Sequence, residues 1–171
     1  GFQQKNRGAR VTVGISGTGG GFERFCRGET DLQNASRPMR NSEAIRCRDA
    51  GVKWVAFTVA NDGLSVVVNR QNTWVNCLTV AELKKVWEPG SKVSNWNQVD
   101  QSFPDQELKL FGPGTDSGTF DYFTDEINGE EGASRSDYNA SEDDNVIVQG
   151  VGGSPNALGY FGFTYYEENA D

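Results

Sequence analysis

The sequence predicts an α/β fold in two lobes, residues 1–60 and 64–171, joined at a hinge over 61–63. Three observations carry this. Val11-Thr-Val-Gly-Ile15 alternates β-branched residues as a strand does, and the glycine-rich turn Ser16–Gly21 and the helix-like Phe22–Arg27 follow it. The same strand, turn and helix order recurs at Leu108–Phe111, Gly112–Thr119 and Phe120–Ile127. Between Val11 and Val59 strands and helices alternate, which is the signature of a parallel sheet.

In chain order, Asp31–Ala35 reads as a short strand, Ser42–Ala50 as a helix opened by a Ser N-cap, and Lys53–Val59 as a third strand. Asn61-Asp-Gly63 breaks the pattern and marks the lobe boundary. Leu64–Val68 then begins a second sheet. Thr79–Trp87 is an amphipathic helix whose Thr79 and Glu82 have capping-box spacing, and Pro89-Gly90 stops it. Gly129–Asn145 is a polar, acidic loop, Val146–Val151 a helix, Leu158–Phe161 a last strand and Tyr165–Asn169 a terminal turn.

Composition bounds the function. The chain has 171 residues, 36% of them hydrophobic, with four Trp, five Tyr and ten Phe, enough apolar area to bury a core. The net charge of −8 argues against nucleic acid or an anionic membrane as partner, since both demand clustered Lys and Arg. An anionic ligand would have to be held by local dipoles. No apolar run approaches the roughly 18 residues of a membrane span, and Gly1–Arg10 lacks the pattern of a signal peptide. Three Cys without a C-x-x-C pair, and no His, speak against a zinc site. Cys26 and Cys47 lie on consecutive helices and either pair in an oxidising compartment or stay free; Cys77 reads as a small buried hydrophobe.

The two turns carry the chemistry. The first N–H groups of a helix lack intrahelical acceptors, and the helix dipole places roughly half a positive charge there, so a glycine-rich turn at that point is an anion cup. Thr18, Gly19 and Gly20 in the first turn, and Ser117, Gly118 and Thr119 in the second, offer hydroxyl and backbone donors together. Each turn is otherwise a tight βα connection. The first is neither a Walker loop, since no Lys-Ser/Thr follows its glycines, nor a G-x-G-x-x-G fingerprint. Without His there is no Ser-His or Cys-His dyad, so no catalytic residue is assigned. The acids Asp137, Glu142, Asp143 and Asp144 lack EF-hand spacing and read as a solvated loop. Arg37 is placed at the carboxyl end of the first sheet, either as a bidentate oxyanion clamp or as a surface ion pair; Arg135 has the same two readings.

Four segments, Gly14–Phe22, Gly28–Pro38, Gly112–Phe120 and Asn156–Gly162, resemble in order the phosphate-binding subunit of bacterial ABC phosphate importers, the PstS family. The resemblance runs through nearly the whole chain. It implies a type II periplasmic-binding-protein architecture, with mixed sheets flanked by helices in each lobe and inorganic phosphate held between them. It also implies a periplasmic or extracytoplasmic place, a membrane permease as partner, and no cofactor, metal or catalysis. The family's donors fall on Thr18, Gly19 and Gly20 and on Ser117, Gly118 and Thr119. An acid that accepts the phosphate proton in family members stands where this chain has Arg37, and an Arg and an Asp stand where it has Pro113 and Thr115. Arg37 and Arg135 are therefore expected to supply positive charge, and Asp116 or Asp137 to accept the proton. Family members also have an opening strand and turn and closing segments that complete the first lobe, so the chain is expected to be a fragment with that lobe incomplete. Other readings are a receptor for sulfate, molybdate or a phosphonate, a phosphoryl-transfer enzyme, and a surface interaction module.

Overall fold

The computed structural model describes residues 2–14 and 16–169; Ile15, the last residue of the first expected strand, lies outside them. The sheet is drawn entirely from the later part of the chain: β1 (Leu64–Val68), β2 (Lys109–Pro113), β3 (Asn139–Ser141) and β4 (Ala157–Gly162), in the order β1-β4-β2-β3. β1 runs antiparallel to β4, with Leu64 opposite Gly162 and Val68 opposite Leu158. β2 is parallel to both β3 and β4. The result is a mixed sheet flanked by helices. β4 is interior and buried along Ala157–Phe161, which explains its unbroken apolar run in place of an alternating one.

α4 (Val80–Trp87) forms where its cap predicts. Thr79 Oγ1 accepts from the Glu82 N–H at 3.2 Å, and Glu82 Oε2 accepts from the Thr79 N–H at 2.7 Å, satisfying two N–H groups that would otherwise lack partners. Its buried face, Leu83, Val86 and Trp87, packs with Phe123, Leu158 and Tyr160 in the main core. Trp87 meets Tyr160 edge-on at 4.9 Å between ring centroids, and Phe123 stacks on Tyr160 at 3.8 Å. α5 (Trp96–Val99) adds Trp96 to this core. α6 (Gly118–Phe123) continues into one π-helical turn over Thr124–Asn128, and α7 (Asp144–Gly152) and α8 (Phe163–Glu168) complete this part. Among the described residues no helix is long and apolar enough to cross a membrane.

The N-terminal part holds α1 (Phe2–Lys5), α2 (Thr18–Cys26) and α3 (Asn41–Asp49). Cys26 and Cys47 are both buried and joined by a disulfide that fastens α2 to α3. α3 starts one residue before Ser42, with Arg40 in the cap position and its N–H donating to Glu43 Oε2 at 2.7 Å. Cys77, expected to be buried, is exposed and free. The parallel sheet expected in residues 1–60 does not form: residues 11–14, 31–35 and 53–59 carry no strand. Alternation specifies which side chains share a face, but a strand exists only where a neighbour supplies the ladder, and among the described residues none of these segments is paired. Their apolar side chains consequently face solvent, Leu32 at 86% and Val59 at 91% exposure.

Candidate anion-binding site

α2 opens directly after Gly17, so its first N–H groups project from the turn with no side-chain cap of their own. Thr18 is buried. Its backbone N–H donates to Asp121 Oδ2 of α6 at 2.9 Å, and its Oγ1 accepts from the Ser36 N–H at 3.4 Å. Carboxylates press on two of the glycines. A Cβ at Gly17 would lie 2.5 Å from Asp121 Oδ2, and one at Gly19 would lie 2.9 Å from Glu131 Oε1 and 3.8 Å from Arg37 Nη2. Gly20 has more room, 3.6 Å to the Ser16 Cβ.

The second turn closes through the Ser117 N–H, which donates to the Gly114 carbonyl at 3.2 Å. Ser117 caps α6, its Oγ accepting from the Thr119 N–H at 3.2 Å. A Cβ at Gly118 would lie 2.8 Å from Ser36 Oγ. The two turns therefore meet: Ser36, beside Thr18, reaches Gly118, and Asp121, one turn beyond Ser117, reaches Thr18. Thr18 and Gly118 are brought together at this junction through Ser36 and Asp121, with Gly19, Ser117 and Thr119 as their chain neighbours and Gly20 one position further.

Arg37 is at the same junction but is already bound. Its Nη1 and Nη2 donate to the two oxygens of Glu43 at 3.0 and 2.9 Å, and its Nε donates to Glu131 Oε2 at 2.8 Å. Its guanidinium also lies 5.7 Å from the centroid of the Phe22 ring. Hydrogen bonding to Glu43 is the main cause that raises the Arg37 pKa, against the opposing effect of burial. Burial works to raise Glu43, yet the bonds from Arg37 and the Arg40 N–H prevail and hold it below the usual carboxylate range. Arg40 extends the network to Asp125 at 2.8 Å and Glu131 at 3.2 Å.

Arg135 is buried elsewhere. Nε and Nη2 bind Asp137 at 2.7 and 2.9 Å, while Nη1 donates to the carbonyls of Val86 and Val93 at 3.1 and 2.7 Å, so these bonds fasten the end of α4 and reach neither turn. Asp137 is held low by that arginine. Asp116 is exposed, and its N–H donates to Glu142 Oε1 at 3.4 Å. The carboxylate that accepts from a turn N–H at the junction is instead Asp121, whose pKa burial raises, with the Thr18 N–H opposing. Ser36, Asp121 and Glu131 were not singled out from sequence. Ser36 stands next to Arg37 in the segment Gly28–Pro38 and was findable; Asp121, within a helix, and Glu131, within an acidic loop, carry no local signal.

Comparison with known proteins places this geometry in a family. The model of the PBP superfamily domain matches residues 1–171. The chain is 51% identical over 170 residues to Protein SphX of Synechococcus elongatus, covering 98% of this chain and 50% of that protein. It is 40% identical over 170 residues to the phosphate-binding protein PstS of Staphylococcus saprophyticus, covering 99% of this chain and 52% of that one. The crystal structure of a possible phosphate binding protein from Planctomyces limnophilus superposes with a TM-score of 0.81 at 52% identity, over 99% of this chain and 60% of that one. The chain thus spans about half the length of the curated relatives it matches.

Proposed function

The chain belongs to the PBP superfamily, and from that premise we propose that it is part of a receptor that captures inorganic phosphate for the membrane permease of an ABC importer. The phosphate lies between two lobes, residues 1–60 and 64–171, which move about residues 61–63. Thr18, Gly19 and Gly20 offer donors from one side and Ser117, Gly118 and Thr119 from the other. The receptor works outside the cytoplasm and performs no chemistry on its ligand. Arg37 acts at second hand, holding the Ser36 segment against Glu131 while its own donors remain bound to carboxylates. The observation that carries this reading is the meeting of the two hydroxyl-bearing glycine turns, with Ser36 Oγ against Gly118 and Asp121 against Thr18. Such turns present N–H and O–H donors to an oxygen-rich anion. The names of the relatives that bind phosphate support the choice of anion.

Isothermal titration of the chain with inorganic phosphate and, separately, with sulfate tests it. Saturable binding of phosphate is expected, with weaker sulfate. Ser117→Ala and Thr18→Val should each weaken phosphate by about tenfold, the loss of one hydrogen bond to a charged ligand at roughly 1.5 kcal/mol. Absence of phosphate binding, or substitutions without effect on it, would overturn the proposal.

A further inference from the structure

Asp121 joins the junction from α6 and occupies a donor of the first turn. Its Oδ2 accepts from the Thr18 N–H at 2.9 Å, across 103 positions of chain. It presses so closely that the neighbouring position 17 has no space for a Cβ. The arginines nearby are committed elsewhere, Arg37 to Glu43 and Glu131 and Arg40 to Asp125 and Glu131. Among the described residues no arginine or lysine forms an ion pair with Asp121, so two guanidinium groups face four carboxylates: Glu43, Asp125, Glu131 and Asp121. A second anion entering beside Asp121 meets like charge and finds the Thr18 N–H taken.

We infer that Asp121 is a built-in occupant of the first turn, a carboxylate that holds the Thr18 N–H in the unliganded protein and that an oxyanion must displace to bind. The inference rests on the phosphate-receptor reading above. Its consequence runs opposite to that of an ordinary ligand-contacting side chain: removing Asp121 strengthens anion binding. The displaced carboxylate also gives the junction a reason to be closed without ligand, since the Asp121 contact ties α6 to the start of α2 just as phosphate would. Burial, which raises the Asp121 pKa, agrees with an anion held in an unfavourable place.

Titration calorimetry with inorganic phosphate at neutral pH on wild type, Asp121→Ala and Asp121→Asn decides it. Asp121→Ala is expected to bind phosphate at least about tenfold more tightly, and Asp121→Asn, which keeps an oxygen acceptor but loses the charge, to gain less. If Asp121→Ala does not fold by circular dichroism, a gain in Asp121→Asn alone still supports the inference. Phosphate binding by wild type with equal or weaker affinity in the folded variants would overturn this inference and leave the receptor reading standing. Failure of all three proteins to bind phosphate would overturn both.

Discussion

Single residues at the junction divide into those that hold the protein together and those left under electrostatic load, and acid separates them. The Arg37 and Glu43 side chains are only 14% and 9% exposed and share two parallel hydrogen bonds. Arg37→Ala leaves Glu43 buried without its partner and is expected to destabilise the protein by about 3 kcal/mol in urea denaturation, with Arg37→Lys recovering only part because an ammonium cannot match both carboxylate oxygens. Glu43 has a folded pKa below its unfolded value of about 4.3, so its stabilisation is fully present above that pH and is lost as pH falls through the folded value. Asp121 has the opposite sign. Burial raises its folded pKa above the unfolded value of about 3.9; Glu131 adds to the rise, and the Thr18 N–H, Arg37 and Arg40 oppose it. Ionised Asp121 therefore subtracts stability at neutral pH, and the penalty fades as pH falls through the folded value towards about 3.9. Thermal melts of wild type and Asp121→Asn should show the variant more stable near neutral pH and the gap closing in acid. A gap that is constant with pH would contradict this account.

At the scale of elements, close approach of backbone decides where α7 can sit. A Cβ at Gly150 of α7 would come 2.4 Å from the Phe111 ring of β2, and one at Gly159 of β4 would come 2.7 Å from Val151 Cγ2. Gly150→Ala gains up to about 1 kcal/mol of helix propensity but forces a rigid ring aside, a change that typically costs about 1–3 kcal/mol. Net destabilisation is expected in urea denaturation, and a more stable variant would show that the helix can shift without loss. The elements that were legible in the sequence are those whose local signals and tertiary surroundings agree: α4 with its Thr79–Glu82 cap, β4 with its apolar run, and β1 with its three valines. α5 was missed because a single turn capped by Asn95 has no room to display a period. The strands expected before Val59 failed for a different reason, since a sequence pattern encodes a face and not the presence of a neighbour to cover it. The site divides the same way. Glycine beside hydroxyl announces Thr18 and Ser117 locally, whereas Asp121 meets Thr18 only through tertiary structure.

For the whole molecule, these differences imply unequal stability along the chain. The sheet-bearing part has a continuous aromatic core built from Trp87, Trp96, Phe123 and Tyr160, all fully buried or nearly so. The N-terminal part has Phe22, Cys26 and Cys47 buried, and it leaves Val11, Val13, Leu32, Val55, Phe57 and Val59 in solvent. Few buried contacts and unpaired backbone are the conditions for opening below the global unfolding free energy. The Cys26–Cys47 bridge offsets this in part: closing 21 positions of chain is worth about 3 kcal/mol in the chain-entropy view. The protein is therefore expected to unfold in two steps. Hydrogen exchange should be fast across residues 53–63 and slow in α4 and β4, and urea should melt α2 and α3 before the tryptophan core. Reduction of the disulfide should move the first transition to lower urea and leave the second, followed by tryptophan fluorescence, in place. A single transition, with all probes coincident and both shifted equally by reductant, would mean that the Arg37, Arg40 and Asp121 contacts couple the two parts into one cooperative unit.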